Sequence, residues 1–208
     1  MLARMLSTGL CVLLLVTVSE AAKSSAIDCL QCHGDLERGK SVHPALAMGC
    51  ETCHSAIDAS DVPHKKTNKI AKGLSADQPD LCYSCHDKAM FTKNVVHPAL
   101  AMGCTTCHNP HASNAASLLI DPVGKLCITC HDKQAKGAHI MTGFALGDTH
   151  PLQGRADPAK PSRELSCISC HNPHSSAKTK LFVNEAATGG DSLCRMCHRK
   201  ISIRTDKP

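Results

Sequence analysis

The sequence predicts a mainly irregular fold with short α-helices and little or no β structure, whose interior is filled by something other than its own side chains. Three observations predict it. Aromatic residues are nearly absent: among 208 residues there is no Trp, one Tyr (Tyr83) and three Phe (Phe91, Phe144, Phe182), although aromatics ordinarily supply much of a core's buried area. Cys and His are abundant, at 15 and 14 residues. No stretch alternates apolar and polar residues long enough for a sustained strand, and Gly, Pro, Asn and Asp interrupt the short apolar clusters.

The first element is a cleavable export signal over residues 1–21. Arg4 gives a positive start, Leu10 to Val18 is an apolar run too short to span a bilayer, and Ser19-Glu20-Ala21 offers small residues before a cut. Cys11 lies inside the apolar run rather than after it, which argues against a lipoprotein signal. The remaining 14 Cys all fall in the expected mature chain, 22–208, where no later stretch is apolar enough for an integral membrane segment. The expected location is periplasmic or secreted.

Those cysteines pair as Cys-x-x-Cys, and His follows each pair at once. The copies are Cys29-Cys32-His33, Cys50-Cys53-His54, Cys82-Cys85-His86, Cys104-Cys107-His108, Cys127-Cys130-His131, Cys167-Cys170-His171 and Cys194-Cys197-His198. This is the attachment signature of c-type haem: two thiols bond to the porphyrin, and the adjacent His is placed under the iron as its proximal ligand. Structural zinc uses Cys-x-x-Cys without needing His after every pair. A disulfide framework has no use for it either, and a thioredoxin-like site would occur once. The expectation is seven covalent haems.

Seven His are left over: His43, His64, His97, His111, His139, His150 and His174. They equal the number of vacant axial positions, so bis-His ligation throughout is the simple reading, with these as distal ligands. His-Met ligation is the competitor, drawing on Met48, Met90, Met102, Met141 or Met196; Met48 and Met102, two residues before a Cys, suit packing on a ring face better.

The motifs fall into units at about 27–78, 79–122 and 123–190, with a half unit at 191–208. HPALAMGC recurs letter for letter at His43 and His97, a ligand-and-anchor cassette repeated at a spacing of 54 residues. The connectors after His111 and His174 also match, each running through a short apolar cluster and polar turn residues to Leu-Cys. The stretch PLQGRADPAKPSREL, after His150, reads as an inserted surface loop, and unit one carries a similar insertion between His54 and His64. His139 has no counterpart in the other units and is a candidate ligand for the unpartnered seventh haem. Each motif is expected on a short helix or helical turn, so that Cys, Cys and His face one ring.

The coupled motifs, the His-Pro before each second motif (His43-Pro44, His97-Pro98, His150-Pro151) and the Asn-Pro-His tails at 109–111 and 172–174 resemble the multihaem c-type cytochromes of the doubled Cys-x-x-Cys-His family, over nearly the whole mature chain. The resemblance implies low-spin bis-His haems, export and electron transfer. Unit one departs from it by lacking the tight Asn-Pro-His tail, and the haem count is odd.

Reach constrains the ligands further. Three extended residues span at most ~10–11 Å, whereas two imidazoles on one iron hold their Cα atoms roughly 12 Å or more apart. His111 cannot therefore serve the haem anchored beside it at His108, nor His174 the haem at His171. Each tail must tie its own haem to a neighbour. No distal candidate follows His198, so the last haem takes its ligand from upstream. With about 27 residues per motif there is too little chain for separate pockets, so the haems are expected to pack on one another as a core and a wire.

The formal charge of +5 does not indicate a nucleic-acid surface, because two propionates per haem outweigh it. Lys65, Lys66, Lys69 and Lys72 read as a solvated face or propionate partners. Three functions compete: an electron carrier, with a membrane or periplasmic donor and a terminal reductase or outer-membrane acceptor; a multihaem reductase, if one iron (His139 being the least patterned distal candidate) stays open; and a homo-oligomer or extracellular filament.

Overall fold

The computed structural model describes residues 27–135, 155–184 and 191–198. The export-signal segment, His139 and His150 lie outside the described residues. None of the described helices is long and apolar enough to cross a membrane.

The chain is mostly irregular, as expected, with six short helices among the described residues: α1 (Leu30–His33), α2 (Asp80–Tyr83), α3 (Val123–Ile128), α4 (Asp132–Ala135), α5 (Cys167–Cys170) and α6 (Asp191–Cys194). Five of these carry or lead into a Cys-x-x-Cys-His motif. The other two motifs sit on 3-10 turns, Cys50–Thr52 and Cys104–Thr106. Little of the described chain is buried: only Ala56 and Ala112 are buried apolar residues. Side chains alone therefore supply almost none of the apolar burial that stabilises an ordinary domain.

The β structure is small but decisive for the layout. Among the described residues, eight strands form four antiparallel two-stranded ladders: β1 (Ser41–Val42) with β5 (Ala112–Ser113), β2 (Ile57–Asp58) with β3 (Lys65–Lys66), β4 (Val95–Val96) with β8 (Ser175–Ser176), and β6 (Ala156–Asp157) with β7 (Lys160–Glu164). Most are two residues long, too short to show as period-two alternation. Two of the ladders join units. The segment entering the His-Pro of unit one pairs with the segment leaving the Asn-Pro-His of unit two, with Val42 opposite Ala112. The same join links units two and three, with Val96 opposite Ser175. Beside each ladder, the His43 amide donates to the His111 carbonyl and the His97 amide to the His174 carbonyl, both at 2.8 Å.

The two insertions are hairpins. In unit three, residues 156–164 of the stretch expected to be a surface loop form β6 and β7. They order because Asp157, fully buried, gathers donors: Arg163 Nη2 at 2.8 Å, Arg163 Nε at 2.9 Å, Ser169 Oγ at 2.7 Å and the Ala159 amide at 2.8 Å. The hairpin is exposed along most of its length, as its polar composition predicts, and the one buried carboxylate that collects donors gives it order. In unit one, β2 and β3 bracket the loop that carries His64.

Candidate haem-binding site

All seven motifs share one backbone turn. The amide of each His donates to the carbonyl of the first Cys, four residues back, at 2.8–3.0 Å, from His33 to Cys29 through His198 to Cys194. One helical turn thus brings both thiols and the imidazole to one side, as attachment to a single flat ring requires. The expectation of a helix or helical turn under each motif holds for every copy.

The spare histidines stand opposite motif histidines. Ring centroids are 6.1 Å apart for His33 and His64, 6.2 Å for His43 and His86, 6.1 Å for His54 and His111, 6.1 Å for His97 and His131, and 6.0 Å for His108 and His174. Rings in van der Waals contact would lie closer. A metal–imidazole bond of about 2.0 Å, plus about 1.1 Å from nitrogen to ring centre, puts two trans imidazoles about 6.2 Å apart. Each gap has the width of one six-coordinate iron, so these residues fit the haem that the motifs call for. His111 faces His54 and His174 faces His108, each across a unit boundary, in agreement with the reach argument. His43 and His97 likewise face the first motif of the following unit.

Hydrogen bonds fix the tautomers. Nδ1–H donates to a backbone carbonyl in His43 (Pro110, 2.9 Å), His54 (Lys72, 2.9 Å), His64 (Asp61, 2.8 Å), His97 (Pro173, 3.0 Å), His108 (Ser117, 2.9 Å) and His171 (Lys180, 2.7 Å). A carbonyl only accepts, so the proton sits on Nδ1 and Nε2 presents its lone pair to a metal. Burial depresses the pKa of His111 and of His174, with neighbouring His residues adding to it, and this favours the neutral form that coordinates.

A family model for the doubled CXXCH motif matches residues 43–91, 97–136 and 160–202. The chain belongs to this family. As in that family, its doubled motifs are sites of covalent c-type haem attachment. The chain is also similar to a multihaem cytochrome, MtrA, from Shewanella baltica (strain OS185), at 30% identity over 83% of this chain and 52% of the relative. It is similar to the dissimilatory sulfite reductase MccA of Wolinella succinogenes, at 27% identity over 84% of this chain and 22% of the relative. It therefore spans about half the length of one curated relative and a fifth of the other.

The doubling is visible in the thiols. In each unit the first cysteines of the two motifs lie close enough to perturb one another: Cys29 with Cys50, Cys82 with Cys104, and Cys127 with Cys167. Burial and then the Cys104 contact push Cys82 up to about 11. Between units, Cys53 lies near Cys82, Cys107 near Cys127 and Cys130, and Cys170 near Cys194 and Cys197. The seven anchors thus form one row in sequence order. Among the described residues none of these cysteines is disulfide-bonded, and no group of three or more His, Cys, Asp or Glu converges as a metal-ion cage.

Sequence reading missed a bracket that recurs behind the second motif of every unit. Residue pairs 72–73, 117–118 and 180–181 take left-handed backbone conformations, with φ between 56° and 60°. The first member of each pair offers its carbonyl to the motif His: Lys72 to His54, Ser117 to His108, Lys180 to His171. The residue three beyond that member then donates its amide to the carbonyl of the motif's second Cys: Ser75 to Cys53, Ile120 to Cys107 and Val183 to Cys170. Aligning Ala-Lys-Gly-Leu at 71–74 with Ala-Ser-Leu-Leu at 116–119 would have found it. Only unit one marks the turn with a glycine, Gly73, so the signal is faint. Unit one therefore keeps the bracket although it lacks the Asn-Pro-His tail.

Proposed function

We propose that this chain, from about residue 22 to 208, is a single exported domain that carries electrons along seven covalently bound c-type haems, each closed off by two histidines. The observation that carries this reading is the set of five imidazole pairs held one iron apart. His33, His54, His86, His108 and His131 are the proximal ligands of five haems, opposite His64, His111, His43, His174 and His97 respectively. His171 and His198 are proximal ligands of the other two, and by count His139 and His150 supply their distal positions. Cys29, Cys32, Cys50, Cys53, Cys82, Cys85, Cys104, Cys107, Cys127, Cys130, Cys167, Cys170, Cys194 and Cys197 are the thioether anchors.

Haem iron supplies one-electron chemistry between its ferric and ferrous forms. The protein residues decide where it happens. The neighbouring first cysteines would hold the two rings of a unit close to one another. The cross-unit ligands His43, His97, His111 and His174 clamp each unit to the next. Ligands from neighbouring units thereby make one row of closely spaced centres, the arrangement that stepwise electron hopping needs. With so few buried side chains, the porphyrins supply the core, and cofactor binding becomes folding free energy. The export signal supports a periplasmic or secreted location, and the partners are redox proteins: a membrane or periplasmic donor, and a terminal reductase or outer-membrane acceptor.

The similarity to a sulfite reductase keeps one rival open, a reductase with an uncapped iron. Intact-mass measurement of the secreted protein, joined to a count of low-spin haem against total iron, separates the two. Seven haem additions, all low-spin, are expected. A high-spin fraction near one haem in seven transfers the function to the reductase, and zinc or cystine in place of haem overturns both readings.

A further inference from the structure

Four of the opposed imidazole pairs are alike and one is not. Interplanar angles are 10° for His43 with His86, 13° for His54 with His111, 20° for His97 with His131 and 29° for His108 with His174. His33 and His64 cross at 52°.

The outlier is also built differently. In the other four pairs the spare ring belongs to a cassette held by a neighbouring unit: His43 and His97 donate to Pro110 and Pro173, and His111 and His174 lead into β5 and β8. His64 sits on the β2–β3 hairpin of its own unit. Its Nδ1–H donates to the carbonyl of Asp61, three residues back, at 2.8 Å. The Asp58 carboxylate closes the loop, with Oδ1 accepting from the Ser60 amide at 3.0 Å and from Ser60 Oγ at 2.6 Å. The plane of the His64 ring is thus set by a local loop, Asp58 to His64, and not by the inter-unit ladders that align the rest.

We propose that this hairpin makes the haem anchored at Cys29 and Cys32 electronically distinct, with a higher reduction potential than the parallel-ligand haems, so that an electron on the row rests preferentially at the first-unit end. The proposal rests on the bis-His reading above. Each imidazole donates π density into the iron d orbital perpendicular to its own plane. Parallel rings act on the same orbital and split the d pair, which stabilises the ferric, odd-electron state. Crossed rings act on both orbitals, remove much of that splitting and favour the ferrous state. Axial ligands and their hydrogen bonds are established levers on haem potential. Asp58, Ser60 and Asp61 are positioning residues here, acting through His64.

Electron paramagnetic resonance of the oxidised holoprotein tests this, because near-degenerate d orbitals give a low-spin signal of large g value while parallel ligands give an ordinary rhombic one. The expected result is a large-g signal of one haem's intensity that is lost in His64→Met and that disappears ahead of the rhombic signals during reductive titration of the wild type. Ser60→Ala leaves the charge unchanged and removes the shorter of the two bonds that close the loop; it is expected to keep full haem content while shifting that signal and its place in the titration. If His64→Met removes a rhombic signal, or if the large-g signal is the last to be reduced, the proposal is overturned and the bis-His reading stands. If His64→Met leaves every low-spin signal intact, the bis-His assignment of His64 fails, and the proposal with it.

Discussion

Replacing Asp157 by Asn should destabilise the third unit through charge, and the size of the effect can be worked from the contacts. Asp157 is fully buried. Burial by itself pushes its carboxyl up, but the bonds from Ser169 Oγ, the Ala159 amide and Arg163 outweigh that and hold it down from 3.8 to about 2. A depression of nearly two pH units, at 1.36 kcal/mol each, corresponds to about 2.5 kcal/mol of stability from the ionised form. Because the folded value is depressed, that stability is fully present above the unfolded value, near pH 4, and is lost as pH falls through about 2. D157N should therefore be about 2–3 kcal/mol less stable than wild type at pH 7, with the gap closing between roughly pH 4 and pH 2. The assay is guanidinium unfolding of the holoproteins at pH 7, 5, 3 and 2, followed by visible circular dichroism. Ser169 lies between Cys167 and Cys170, so loss of the Asp157 contact should disturb the signal of the haem anchored there first. Equal midpoints at pH 7 would refute the reasoning. So would a gap that persists undiminished at pH 2, since that would make the effect steric.

Gly39→Ala should loosen units one and two, because a Cβ there would meet the Ser113 amide nitrogen and carbonyl oxygen at 2.7 Å. The expected cost is about 1–3 kcal/mol, with a high-spin signal as the ligands that bridge units one and two lose their support; unchanged low-spin spectra and midpoint would count against the cross-unit ladder. Gly73→Ala should be damaging as well, since φ is +60° and the new Cβ would lie 2.6 Å from Ile57 Cδ1. The converse change, Ser117→Gly, puts the permissive residue where φ is already 56° and should raise stability by about 0.5 kcal/mol, readable as a higher unfolding midpoint.

The covalent chemistry of this protein was legible in its linear sequence because it is local. Two thiols and a His must lie within one helical turn of each other to serve one ring, so Cys29-Cys32-His33 and its six counterparts announce themselves at short range. Counting supplied the candidate ligands, and chain reach placed His111 and His174 away from the motifs beside them, as their positions opposite His54 and His108 agree. Low aromatic content and missing periodicity likewise pointed to an irregular fold without a conventional core.

Which imidazole faces which was decided only in three dimensions. His43 stands opposite His86 and His54 opposite His111 because two-residue ladders, β1 with β5 and β4 with β8, join segments 70 or more residues apart. Such ladders are too short to leave a periodic trace, and their register depends on close approach at Gly39 and Ser113. The left-handed pairs at 72–73, 117–118 and 180–181 were also hidden, since apart from Gly73 they are Lys, Ser and Leu, which do not advertise positive φ. Asp157 reads as one more charged loop residue until folding brings Arg163 and Ser169 to it. Short-range bonding can be read along a chain; the pairing of distant backbone segments is settled by packing and hydrogen-bond satisfaction, which have no fixed spacing in sequence.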